Sequence, residues 1–323
     1  MVGALALGLA HLAQKGTGVD RDDDQALLGK HSISVESVVV DPRQRWIVST
    51  GVDGSVYLWD FARRNLAMAL EREAGAAARF AYCAAFTSDG SIVGAAFSDG
   101  TVTLWDVLSC KRRRTLHFDT ESVRSLAFSP DGRLMAIGAA DHAVTLLDMA
   151  TMRTRQRLSG SDRQVNCIVF SPDGRTLASA CADGTVTLWD ASFGTKIRSL
   201  TGRQKRSRPL IGVAFSPDGT VLATASLYSG VALWDVLSGH QIESLEWPDE
   251  SAMAVSFSPM GKTLAWGTVT GTIEIWDIAS GRRISAWQGH SGAVKSLAFF
   301  PDALTLASGG DDGAVRVWHL PRP

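Results

Sequence analysis

The chain has 323 residues, 45% hydrophobic and 20% charged, a composition that fits a globular fold with a sizeable core. Its formal net charge of −1 sets up no overall field toward nucleic acid or acidic membranes. The four cysteines, Cys83, Cys110, Cys167 and Cys181, show neither CxxC spacing nor a nearby histidine cluster. That argues against a disulfide framework or a metal site, and for reduced thiols in a cytoplasmic protein.

Residues 1–23 form an extension of their own. Leu5, Leu9 and Leu12 recur at helical spacing among alanines and Gly16 and Gly18 end the pattern, which predicts a helix. The apolar run falls short of the roughly 20 residues that span a bilayer. It also lacks the basic start and small-residue cleavage site of a secretory leader. The acidic stretch Asp20–Asp24 reads as a linker, and a second domain is expected over 24–323.

From there the sequence repeats. The octapeptide DGTVTLWD stands at Asp99–Asp106 and again at Asp183–Asp190. Aligned on it, the tryptophan position falls at Trp59, Trp105, Leu147, Trp189, Trp234, Trp276 and Trp318, with spacings of 46, 42, 42, 45, 42 and 42. A second marker keeps the same spacing upstream: FTSDG at 86, FSPDG at 128, 170 and 215, FSPMG at 257, FFPDA at 299 and a weaker VDPRQ at 40. Seven units of this length predict an all-β fold, a seven-bladed propeller of four-stranded antiparallel blades.

One unit shows the chemistry. In 161–190, VNCIVF, TLASAC and TVTLW read as strands joined by the turns SPDG and ADG. The strands are apolar on both faces, so both must be covered, as they are when blades stack. The terminal Trp is expected to wedge between blades. Val102 and Leu104 should face one neighbour, and Trp105 with the threonines the other. After Trp318 only His319–Pro323 remain, too few for an outer strand, while QALLGKHSISV (25–35) parallels ISAWQGHSGAV (284–294). Gln25–Leu28 are therefore expected to supply the last blade's outer strand and close the ring.

The Gly289–His290 dipeptide, the Asp312–Gly313 turn and Trp318 resemble the WD-repeat propeller family, and the resemblance extends over about 25–323. It implies a hydrogen-bonded tetrad of His, Ser or Thr, turn Asp and Trp in each blade. His31, Ser49, Asp53 and Trp59 match in the first blade, and His290, Ser308, Asp312 and Trp318 in the last. The fourth keeps Ser179, Asp183 and Trp189 but has Ser161 for His. Ala95, Ile137 and Trp266 replace the hydroxyl elsewhere, and Tyr228 and Thr270 replace the turn Asp. The family commonly binds partners on the narrower, upper face, and its propellers often end larger signalling proteins.

Motifs for catalysis are absent. MGKT (260–263) lacks the upstream glycine and following helix of a phosphate-binding loop. GHSG (289–292) lacks the spacing of a nucleophile elbow, and no HExxH exists. The turn aspartates recur once per blade, as scaffold residues do. No enzyme activity, cofactor or metal is expected.

Lys111–Arg114 enter the outer strand of the second blade, where a solvated edge is the expected reading. Arg203, Lys205, Arg206 and Arg208 lie in a connection three residues longer than in the 42-residue units, either simply solvated or facing an acidic partner. By phase with the family, the upper rim gathers the residues flanking the first position of each innermost strand and the residue before each turn Asp. These give an apolar set, Phe80, Tyr82, Ile211, Leu227, Met253 and Val269, beside Arg124 and Lys295, which with the Arg203–Arg208 stretch would select acidic features. Exposed apolar clusters with polar rims mark partner sites. The expectation is a non-catalytic scaffold, itself monomeric, that binds a protein or peptide rather than nucleic acid or membrane. A sensory or autoinhibitory domain of a larger signalling protein, fused to an ATPase or kinase, is the alternative.

Overall fold

The apolar runs flanking each turn pair as antiparallel strands in every unit, giving seven sheets of four strands each. In this computed structural model the described residues are 25–70, 79–160, 163–201, 208–245 and 251–321. The extension at 1–23, its linker, Ser161, Arg203, Lys205 and Arg206 lie outside them. No helix among the described residues is long and apolar enough to cross a membrane.

Six sheets follow chain order from the innermost strand to the outermost. The seventh is completed from the other end of the chain: Gln25–Lys30 pairs antiparallel with Ala314–His319, with Gln25 opposite Trp318 and Lys30 opposite Ala314. The expected closure therefore holds, and the strand runs two residues further than Leu28.

Seven apolar clusters fill the seven gaps between blades. The third strand of each blade builds two of them. Trp189 packs with Ala127, Leu134 and Ala136 of the blade before, while Val186 and Leu188 of the same strand pack with Leu210, Val213 and Phe215 of the blade after. Strand alternation is the cause, since successive side chains leave opposite faces. Trp105 with Val102 and Leu104 repeats the arrangement two blades earlier. The glycine of the repeated octapeptide is equally constrained. Gly100 has φ +78° and Gly184 +84°, and a side chain on Gly100 would collide with the Thr120 carbonyl.

Hydrogen bonds fix the wedge in the complete blades. His290 Nδ1 lies 2.8 Å from Asp312 Oδ1 and Nε2 lies 2.7 Å from Ser308 Oγ, which also accepts from Trp318 Nε1 at 2.8 Å. The first blade repeats this with His31, Asp53, Ser49 and Trp59 at 3.2, 2.7 and 2.8 Å. Ser179 and Thr224 accept the indole in the fourth and fifth blades, at 2.9 and 3.0 Å. In the second blade Arg79 does the work of the histidine. Its Nη1 donates to Asp99 Oδ2 at 3.1 Å and Thr101 Oγ1 at 2.8 Å, and its guanidinium covers the Phe97 ring. Along the outer edge Arg112, Arg113 and Arg114 are exposed, and Arg113 pairs with Asp106 at 3.1 Å.

Candidate binding site at the mouth of the central channel

The innermost strands surround one channel. They are Val35–Val40, Ala81–Phe86, Val123–Phe128, Val165–Phe170, Leu210–Phe215, Ala252–Phe257 and Val294–Phe299. All seven carry a β-bulge at their second residue. Pairing with the second strand skips Glu36, Tyr82, Arg124, Asn166, Ile211, Met253 and Lys295 in turn. A bulge releases a residue from the pleat and re-aims its side chain. All seven released residues line the same cavity, of about 230 Å³.

A backbone hydrogen bond sets the rim above them. The residue before each turn Asp position donates to the carbonyl of the residue preceding the innermost strand, as in Val52 to Ser34, Ser98 to Phe80 and Leu227 to Pro209, at 3.0, 2.9 and 3.1 Å. The three rim positions expected from the sequence thus come together in every blade.

The rim changes character around the ring. At the seventh and first blades it is polar. Lys295 Nζ lies 3.6 Å from Asp311 Oδ1 and 3.9 Å from Glu36 Oε1, and the Ser34 hydroxyl donates to Asp311 at 3.0 Å with Glu36 also in reach at 3.3 Å. Two carboxylates already share the Lys295 charge, which takes it out of the cations free to select an acidic partner. In the second and third blades Phe80 and Tyr82 meet edge to face with ring centres 6.2 Å apart, and Arg124 lies over Tyr82 at 4.9 Å. The fifth and sixth blades are apolar, with Ile211, Met253 and Leu227 partly buried and Val269 37% exposed. Tyr228 is 70% exposed and sits at φ +69°, a conformation costing a non-glycine residue about 1–3 kcal/mol. Its amide donates to Ser251 Oγ at 2.9 Å, which ties the fifth blade's turn to the sixth blade. Arg208 is partly buried at the entry to the fifth blade.

Below the mouth runs a collar that sequence reasoning missed. Ser296 Oγ accepts from Val38 N at 2.9 Å, Ser37 Oγ from Ala84 N at 3.4 Å and Ser125 Oγ from Ile168 N at 2.9 Å. The Cys83 thiol donates to the Leu126 carbonyl at 3.8 Å, and Asn166 Nδ2 donates to the Leu210 carbonyl at 2.8 Å. Each bond joins one blade to the next. Gly212 and Ala254 carry no polar side chain at this level, so the collar opens beneath the apolar part of the rim. Burial pushes the Cys83 thiol up to about 11 and the Cys167 thiol in the same direction, so both remain neutral. The signal was present as a small polar residue two positions after the start of five innermost strands. Among the described residues no cluster of three His, Cys, Asp or Glu could hold a metal.

The family model described as WD domain, G-beta repeat, matches residues 25–60, 77–106, 152–190, 194–235 and 281–319, more than half of the chain. A second, described as Anaphase-promoting complex subunit 4 WD40 domain, matches residues 115–169. No curated protein matches the chain.

Proposed function

Because the chain belongs to the WD-repeat β-propeller family, whose members are generally non-catalytic scaffolds that commonly bind proteins or peptides, we propose that it binds a peptide or protein partner on its upper face, at the channel mouth. The observation that carries this reading is the convergence of the seven bulged residues on one opening bordered by exposed apolar side chains. Seven independent strands hold the opening, so a ligand meets a preformed surface and little entropy is lost in ordering it. Ile211, Leu227, Met253 and Val269 form one apolar anchor, and Phe80 and Tyr82 a second across the mouth. Aromatic and methionine side chains are enriched at such interface cores.

The test compares two ends of one strand. Met253 is the second residue of the innermost strand of the sixth blade, at the mouth, and Met260 lies in the turn beyond its far end, 71% exposed. Met253→Asp is expected to abolish capture of partners from a native lysate with an unchanged thermal transition, while Met260→Asp leaves capture intact. Partners retained by Met253→Asp and lost by Met260→Asp would move the site to the opposite face.

A further inference from the structure

We propose that the channel mouth receives the carboxylate of an aspartate or glutamate side chain from the bound peptide, with Arg124 as its counter-ion. This rests on the upper-face reading and adds the chemistry of the ligand.

Three of the channel-lining residues are charged: Glu36, Arg124 and Lys295. Lys295 lies 3.9 Å from Glu36 and 3.6 Å from Asp311, so its charge is fully engaged and that side of the mouth keeps one carboxylate charge in excess. Arg124 is different. Among the described residues no carboxylate pairs with it, and its buried Nε has no hydrogen-bond acceptor. The Tyr82 ring, 4.9 Å away, covers a face of the guanidinium and supplies no acceptor to Nε. A buried donor without an acceptor is costly, and a charged one more so.

The neighbouring groups cannot relieve it. Asn166 donates to the Leu210 carbonyl at 2.8 Å and accepts from Gln164 Nε2 at 3.1 Å, and makes no hydrogen bond to Arg124 Nε. The Cys83 and Cys167 thiols carry no negative charge. A bound ligand, in place of water, can therefore supply the acceptor that Arg124 Nε lacks among the described residues.

Size and charge narrow what that acceptor is. The cavity of about 230 Å³ lies below the ~300–1,000 Å³ of drug-sized ligand sites. That volume suits one inserted side chain better than a nucleotide or cofactor. A single unpaired guanidinium, with Glu36 and Asp311 in the same mouth, balances one negative charge rather than the two of a phosphate. Ile211 and Met253 also line the cavity and offer apolar surface to the methylene of an acidic side chain. The flanking peptide residues would lie on Leu227, Tyr228 and Val269.

Random twelve-residue peptides displayed on phage, selected on the wild-type propeller, test this. Selected sequences are then made as amidated synthetic peptides, which removes the C-terminal carboxylate as an alternative source. The expected result is an enriched Asp or Glu at one fixed position. Replacing it by Asn or Gln should weaken binding about ten- to a hundredfold, the worth of a charge-assisted hydrogen bond. In Arg124→Gln, with folding checked by its thermal transition, that replacement should make no difference, and Arg124→Lys should restore part of the preference. If Arg124→Gln does not fold, Arg124→Lys carries the comparison, with a reduced preference expected. Peptides that bind at the mouth, as judged by loss in Met253→Asp, but show no acidic position overturn the Arg124 assignment and leave the upper-face reading standing. So does an acid preference that persists undiminished in the Arg124 variants, while binding that is lost on amidation and restored by a free C-terminus overturns the side-chain source of the carboxylate. Selection of no peptide, or of peptides indifferent to Met253→Asp, overturns both.

Discussion

Trp276 donates its indole proton to Glu274, two residues back along its own strand, at 2.8 Å. In four other blades the equivalent indole reaches across to a hydroxyl on the second strand: Ser49, Ser179, Thr224 or Ser308. The sixth blade cannot do this because Trp266 fills the hydroxyl position, its ring 5.1 Å from that of Trp276. Glu274, 1% exposed, takes over as acceptor, and Arg283 Nη1 compensates its charge at 3.0 Å. Glu274→Ala would leave the Trp276 indole without its acceptor beside Trp266 Nε1, which already lacks one. A loss of about 2 kcal/mol is expected, near the middle of the range for an unsatisfied buried donor, because Arg283 keeps partial access to water. Glu274→Gln retains an acceptor oxygen and should lose less. Urea-unfolding midpoints of the two variants check this; equal losses would assign the effect to the ion pair alone.

The scaffold was legible because it repeats. Seven copies of a turn and a Trp position give blade number, strand order and the closure at Gln25, and the two complete tetrads follow residue by residue. The third blade is also readable: Ile137 replaces the hydroxyl and Leu147 the indole, so an apolar contact replaces a hydrogen bond within one blade. What the sequence hid are contacts whose partners share no repeat position. Arg79 substitutes for a histidine from a different place in the chain, beyond a connection of unusual length. Glu274 occupies a position that holds Thr103 and Thr187 in two other blades, and its role depends on Trp266 and Arg283. The mouth residues could be named by phase, yet their convergence depends on a backbone bulge that leaves no mark on composition. The collar bonds end on main-chain groups, which carry no side-chain signature at all. Charge pairing at the mouth was likewise hidden, since Glu36 is brought to Lys295 and Asp311 only by ring closure.

Closure itself makes a prediction. Gln25–Lys30 pairs with Ala314–His319, and Leu28 is buried in the same cluster as Val315, Val317 and Trp59. A chain beginning at His31 should therefore melt well below one beginning at Gln25, because it loses a whole strand and exposes the edge of Ala314–His319. The loss of Leu28 alone is worth about 1.5–3 kcal/mol of apolar burial. Differential scanning calorimetry of the two truncations makes the comparison, and coincident transitions would refute closure as a stabilising contact.

The two complete tetrads should make stability fall below neutral pH. The Asp312 carboxylate only accepts, which puts the imidazole's single proton on Nδ1 and leaves Nε2 to accept from the Ser308 hydroxyl, itself the acceptor of the Trp318 indole proton. Both ring nitrogens are satisfied only while the imidazole is neutral. Burial is the largest influence on His290 and His31 and lowers both below the usual 6.5, outweighing the pull of Asp312 and Asp53. The unfolded chain thus binds these protons first as pH falls. Stability from the neutral imidazoles is complete above about pH 6.5 and declines as pH drops below it toward the folded values. The aspartates respond lower down. Burial alone would raise the Asp312 carboxyl, but hydrogen bonds from His290, Arg316 and the Ala314 amide overcome it and hold it well below the carboxylate range. Their contribution is lost only below the unfolded value of 3.8. The melting temperature is therefore expected to fall between pH 7.5 and 5, then again below pH 4. A His31→Gln/His290→Gln double variant should start less stable and show a flatter upper limb. An unchanged slope in the double variant would place the upper limb on other groups.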